Sequence, residues 1–126
     1  FALVPSGKHV LSQGDKYAEI DWFPVRELPV LAYDHEMMAT TAHQRLQAKL
    51  SYTNIVYSLL PSEFTLGELQ AIYEVILDKQ FDRRNFRRKI LTLGLLQPLQ
   101  KTRRGPHRPA ALFSFTRRSP MNVEVL

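Results

Sequence analysis

The sequence predicts an α+β fold, in which short strands and one helix precede a second unit made of helices and a β-hairpin. Apolar residues recur at helical spacing in three segments between residues 35 and 93, and a residue suited to cap a helix precedes each of them. An alternating apolar segment near residue 113 and a group of β-type residues at the N-terminus predict the strands. The chain of 126 residues is long enough for one domain or for two small ones.

The N-terminal segment, residues 1–25, is predicted to form short strands, with loops at residues 6–7 and 14–15. Pro24 and Pro29 then mark an irregular connection, because proline interrupts both helices and sheet ladders.

The first predicted helix covers residues 35–50, and Asp34 is suited to cap its N-terminus. Its apolar face recurs every four residues and consists of Met38, Ala42, Leu46 and Leu50. A shorter apolar segment follows this helix and stops at Pro61.

The second predicted helix has a strong start signal. Thr65 and Glu68 form a T-x-x-E capping box. Phe64 and Leu69 occupy the two positions of a hydrophobic staple. The buried face of this helix is predicted to consist of Leu69, Ile72, Tyr73 and Ile76. The chain then turns at residues 78–81.

The third predicted helix follows the same pattern. Asp82 is suited to be its N-cap, and Phe81 and Phe86 occupy the staple positions. Gly94 suits the left-handed position that ends a helix. The buried face is predicted to consist of Phe86, Ile90 and Leu93.

The third helix is also the most basic part of the chain. Residues 82–89 hold five basic side chains, and the arginines among them fan from about 60° to 200° away from Phe86 around the helix axis. Residues 61–126 carry twelve Lys and Arg against six acids, whereas residues 1–60 carry five against six. The sequence pI of about 9.7 therefore describes the second half of the chain. Localised positive charge of this density predicts a polyanionic partner.

A β-hairpin is predicted after Gly94. Its second arm alternates residues 111, 113 and 115, which face the core, with Leu112 and Ser114 on the other face. Pro98 predicts that the first arm is an edge strand. The tip is predicted to hold Lys101, Arg103, Arg104, His107 and Arg108 around Gly105 and Pro106. Residues 119–126 give no assignment beyond a tail.

The order of helix, short turn, basic helix and basic hairpin is that of a winged helix-turn-helix domain, whose second helix enters the major groove. Arginine can bond to guanine or to phosphate. Asn85 can bond to adenine, or it can simply solvate the start of the helix. The predicted DNA-binding residues are Arg83, Arg84, Asn85, Arg87, Arg88, Lys89, Lys101, Arg103, Arg104, His107 and Arg108. The sequence leaves open which arginines read bases and which bind phosphate.

These segments resemble the Nudix-related transcriptional regulator family over about residues 22–115. The resemblance is strongest in FTLGELQ at residues 64–70, DRRNFRRK at residues 82–89 and RGPHRPAALFSF at residues 104–115. It implies that residues 1–50 are the C-terminal portion of a Nudix-like effector-sensing domain. Residues 51–118 would then be the winged helix-turn-helix DNA-binding domain, with residues 119–126 as a tail.

The resemblance also implies a function. Members of the family bind palindromic operators as dimers, and several control NAD metabolism in response to an ADP-ribose-like or sugar effector. We therefore expect a bacterial, cytoplasmic transcriptional regulator that forms a homodimer and binds double-stranded DNA. The absence of cysteine, of an export signal and of a long apolar run agrees with a cytoplasmic protein that has no membrane partner.

An enzymatic function is not favoured by the sequence. The glutamate cluster of the Nudix catalytic signature has no match, because the acids of the N-terminal half are scattered. We therefore assign no catalytic, metal-binding or effector-binding residue and no cofactor. The alternatives are a Nudix hydrolase of the ADP-ribose pyrophosphatase type with an appended basic domain, and a winged helix that contacts RNA or protein.

Overall fold

The computed structural model describes residues 2–4, 7, 10–12, 20–106 and 108–126. Helices and strands both occur, so the predicted α+β class is confirmed. In chain order the elements are α1 (His35–Tyr52), a 3₁₀ helix (Ile55–Ser58), β1 (Phe64–Thr65), α2 (Leu66–Leu77), α3 (Arg83–Thr92), β2 (Leu96–Arg103) and β3 (Ala110–Phe115).

The strands predicted for residues 1–25 are wrong for the part of this segment that the structure describes, which carries no strand. Trp22 and Phe23 are about half exposed, so their apolar surface has little to pack against. A strand needs a neighbour to satisfy its backbone N–H and C=O groups, and these residues have none in the described chain. Of the predicted loops, residues 6 and 14–15 lie outside the described residues.

Helix α1 forms where it was predicted, but its N-cap differs. Asp34 occupies the capping position with φ −94° and ψ 12°, and its side chain accepts no backbone hydrogen bond. A capping side chain reaches back to the helix from an extended backbone, which Asp34 does not have. The predicted apolar face is buried only towards the end of the helix: Leu50 is fully buried, whereas Met38 is 58% exposed.

Helix α2 begins with the predicted capping box. The backbone N–H of Thr65 donates to Glu68 Oε2 at 2.7 Å, and the backbone N–H of Glu68 donates to Thr65 Oγ1 at 3.2 Å. Phe64 and Leu69, the two predicted staple residues, are both in the core. The helix ends at Asp78, which adopts the left-handed conformation with φ 55°.

Helix α3 is capped and docked as predicted. Asp82 Oδ1 accepts the backbone N–H of Asn85 at 2.8 Å. The rings of Phe81 and Phe86 lie 5.8 Å apart between centroids, and Tyr73 meets Phe86 edge to face at 5.6 Å. Gly94 has φ 68°, a conformation that costs glycine little, and there the chain leaves the helix for the hairpin.

The sheet is antiparallel, with the strand order β1-β3-β2. Strand β2 is therefore an edge strand, as Pro98 predicted. Phe113 and Phe115 of β3 point into the core as predicted. Ala111, which was predicted on the same face, is exposed. Leu112, which was expected on the open face, is also buried, with 6% of its surface exposed.

Residues 119–126, predicted only as a tail, pack against the end of α1. The side chain of Asn54, itself 1% exposed, accepts the backbone N–H of Met121 at 2.9 Å. Val125 donates its backbone N–H to the carbonyl of Ser51 at 2.8 Å, and its side chain is fully buried in the core. The C-terminal segment thus closes the same core that positions α3.

Candidate nucleic-acid interface

Helix α3 presents several positively charged side chains to the solvent. The six predicted residues of this helix are all exposed: Arg83, Arg84, Asn85, Arg87, Arg88 and Lys89. No salt bridge among the described residues involves any of them. Helix α3 therefore carries five neighbouring cations that form no salt bridge with an acid of the described chain. The binding of a polyanion would reduce the electrostatic repulsion among them.

Asn85 has two contacts inside the helix. Its backbone N–H is held by the Asp82 cap, and its side-chain oxygen accepts a hydrogen bond from Arg88 Nη2 at 3.1 Å. The amide thus orients one guanidinium group on the exposed side of α3, in addition to any contact that it makes with a base.

A groove of about 530 Å³ connects α3 to the start of α2 and to the hairpin. Arg83 and Arg87 line it from α3, and Arg108 lines it from the hairpin loop. Thr65 and Gly67 line the groove from the start of α2. The structure therefore brings predicted residues of both the basic helix and the hairpin to one surface.

Two of the predicted tip residues are not at the tip. Strand β2 continues through Arg103, so Lys101 and Arg103 lie on the strand, and the loop is confined to residues 104–109. The predicted tip was too wide because the basic residues before Gly105 were assigned to the loop, whereas strand β2 continues through Arg103. Of the loop residues, Arg104 and Arg108 are exposed. His107 lies outside the described residues.

Lys101 and Arg103 also form intramolecular ion pairs. Lys101 Nζ lies 2.7 Å from Glu63 Oε1. Arg103 pairs with Glu68 through Nη1 and donates from Nη2 to the carbonyl of Glu63 at 3.2 Å. These two cations therefore tie strand β2 to the residues that begin β1 and α2, and they are less available to a partner than the cations of α3.

The pKa of Glu68 reflects both of its roles. Partial burial acts to raise the pKa of this carboxyl, but hydrogen bonds from the Thr65 backbone N–H and from Arg103 outweigh the burial and hold the pKa below its ordinary value. The Glu68 carboxylate thus both completes the capping box of α2 and forms an ion pair with the hairpin.

Arg118 serves the fold rather than the basic surface. Its Nη2 donates to the carbonyls of Tyr57 at 2.5 Å and Leu60 at 2.6 Å, and its Nη1 donates to that of Pro61 at 3.1 Å. The guanidinium also lies 6.0 Å from the centre of the Phe115 ring. No local signal in the sequence marks this role, because the three carbonyl groups lie 57 to 61 residues away along the chain.

None of the helices in the described part of the chain has the length and apolarity needed to span a bilayer. Within that part, no three His, Asp or Glu side chains lie close enough together to hold a metal ion.

Comparison with known proteins places this surface in context. Residues 56–115 match the family model described as the NrtR DNA-binding winged helix domain. The chain is 39% identical over 85 residues to the "ADPR responsive transcriptional repressor NtrR" of Acinetobacter baylyi, an alignment that covers 68% of this chain and 34% of that protein.

Two solved structures are similar as well. NrtR from Shewanella oneidensis complexed with a 27mer DNA superposes with a TM-score of 0.66 at 33% identity, over 76% of this chain and 45% of the other. A structure of Shewanella oneidensis NrtR described without DNA gives a TM-score of 0.65 at 33% identity, over 80% and 47%. The chain thus spans about a third of the curated relative and less than half of either structure.

Proposed function

We propose that this chain, whose residues 56–115 match the family model of the NrtR DNA-binding winged helix domain, is the DNA-binding part of a transcriptional repressor. The proposal depends on the five exposed cations of α3, none of which forms an ion pair within the described chain. Similarity to a protein crystallised with DNA supports it.

In the proposed complex α3 enters the major groove, because an α-helix with its side chains is about 10–12 Å across and the groove is about 12 Å wide. The hairpin loop lies on the same surface and follows the adjacent backbone, where Arg104 and Arg108 meet phosphates. Binding releases counterions from the DNA, so the affinity falls as the salt concentration rises.

The regulatory part of the proposal rests on the relatives. The Acinetobacter baylyi protein is named for its response to ADPR, and we propose an ADP-ribose-like or sugar effector for this protein too. Residues 1–50 would form the end of a Nudix-like sensor and residues 51–118 the DNA reader, on which residues 119–126 pack. A homodimer on a palindromic operator controlling NAD metabolism, in the bacterial cytoplasm, completes the proposal.

The hydrolase alternative has no observation in its favour among the described residues. The similar proteins named above are a repressor and a protein bound to DNA. The affinity measurement described next distinguishes binding to double-stranded DNA from binding to RNA.

The experiment is selection of duplexes from a random pool by the purified chain, followed by affinity measurement on the enriched sequence, a scrambled duplex and an RNA hairpin. We expect one enriched motif, bound more tightly than the scrambled duplex and the RNA. Two inverted copies of the motif would support the dimer. Failure to enrich any motif, or equal affinity for the RNA, would overturn the assignment.

A further inference from the structure

The exposed side of α3 is divided into three strips along the helix. Asn85 and Lys89 line a small apolar pocket on the side of the C-terminal segment. Arg83 and Arg87 line the groove on the opposite side, beside α2 and the hairpin. Arg84 and Arg88 lie between these strips, at about 160° and 200° from the buried Phe86 when each residue turns the helix by 100°.

On this helical wheel the middle strip faces most directly away from the core. Phe86 and Ile90 fix the helix to the core on the opposite side, with 5% and 2% of their surfaces exposed. A docked helix that fills the major groove directs its outermost side chains to the base edges on the groove floor. Its lateral side chains meet the two sugar-phosphate walls.

The strip beside the hairpin has a feature that the middle strip lacks. Arg83 and Arg87 share their groove with Arg108, which comes from a different element more than twenty residues away. Three guanidinium groups around one open groove complement the successive negative charges of a DNA backbone. A base edge, by contrast, is read by a single planar fork.

The structure also orients the middle strip. Asn85 accepts a hydrogen bond from Arg88 Nη2, which holds this guanidinium on the solvent-facing surface of the helix, on the side of Asn85. Arg84 is the second residue of α3, near the end of the helix from which recognition helices contact bases.

We propose that Arg84 and Arg88 read base edges, whereas Arg83, Arg87 and Arg108 together hold the DNA backbone. The proposal rests on the proposed function, because it divides the labour within the same surface. It assigns sequence specificity to two of the four arginines of α3 and binding strength to the groove.

The test compares single alanine variants of all five arginines on the enriched duplex and on a scrambled duplex, at several salt concentrations. R84A and R88A should reduce the ratio of specific to nonspecific affinity by roughly 5- to 150-fold each. R83A, R87A and R108A should weaken binding to both duplexes alike and lower the slope of log affinity against log salt by about one each. R45A, an exposed arginine of α1, is the matched control and should change neither quantity.

The outcomes separate this inference from the proposed function. Loss of the specificity ratio in R83A or R87A, with R84A and R88A affecting both duplexes equally, would overturn the division of labour while leaving DNA binding intact. Absence of any effect in all five variants would overturn both. Circular dichroism of each variant confirms that the fold is unchanged, since all five side chains are exposed.

Discussion

At the scale of single residues, the local signals were predictable and the distant contacts were not. The capping box at Thr65 and Glu68, the Asp82 cap and the left-handed Gly94 all depend on neighbours within four positions, so the sequence was sufficient. The partners of Arg103 and Arg118 lie more than thirty residues away and exist only in the folded chain. The sequence alone therefore could not distinguish an arginine that bonds within the fold from an arginine that is exposed and able to bind DNA.

Glu68 provides a prediction at this scale. Its pKa is lowered in the folded state, so its contribution to stability is present above the unfolded pKa of about 4.3 and is lost as the pH falls through the folded value. E68Q keeps the oxygen that accepts the Thr65 N–H but removes the charge that pairs with Arg103. It should cost at most about 1 kcal/mol at pH 7, because the side chain is 43% exposed and solvent screens the pair.

The measurement is the free energy of unfolding by urea between pH 3 and pH 7. E68Q should have a flatter acid limb than the unmodified chain, whereas the exposed E124Q variant should retain the original pH dependence. Identical acid limbs for E68Q and the unmodified chain would show that Glu68 is not linked to folding.

At the scale of elements, helices were predicted well because each carries its own periodicity, and α2 and α3 also carry side-chain N-caps. Strands depend on partners that the sequence does not reveal. The two-residue strand β1 forms only because β3 pairs with it, with Phe64 opposite Phe113. The predicted N-terminal strands lack such a partner in the described residues. The C-terminal segment was missed for the same reason, since its contacts are with α1 and not with its own neighbours.

The C-terminal segment yields the prediction at the element scale. V125A removes two methyl groups from a fully buried site and should destabilise the fold by about 2 kcal/mol. V75A makes the same chemical change on α2, where the side chain is 76% exposed, and should change the stability by less than about 0.5 kcal/mol. Equal urea midpoints for the two variants would mean that residues 119–126 do not belong to the folded core.

At the scale of the whole molecule, positive charge is concentrated in the second half of the chain. The basic excess predicted from the second half of the chain divides into two groups in the structure. Lys101, Arg103 and Arg118 are held by the fold, whereas the cations of α3 are left exposed. The N-terminal half connects to this unit through contacts such as that of Arg26 with Asp78, at 2.8 Å, and that of Gln47 Nε2 with the carbonyl of Ile76, also at 2.8 Å.

We propose that the exposed cations of α3 contact DNA phosphates and bases. The most direct test is the salt dependence of duplex binding by the chain and by a variant with the four α3 arginines changed to alanine, with a double R45A and K49A variant on α1 as the control. We expect the log–log salt slope to fall by about two in the α3 variant, because Arg83 and Arg87 hold phosphates, and to stay constant in the control. Equal slopes in the chain and the α3 variant would contradict this proposal.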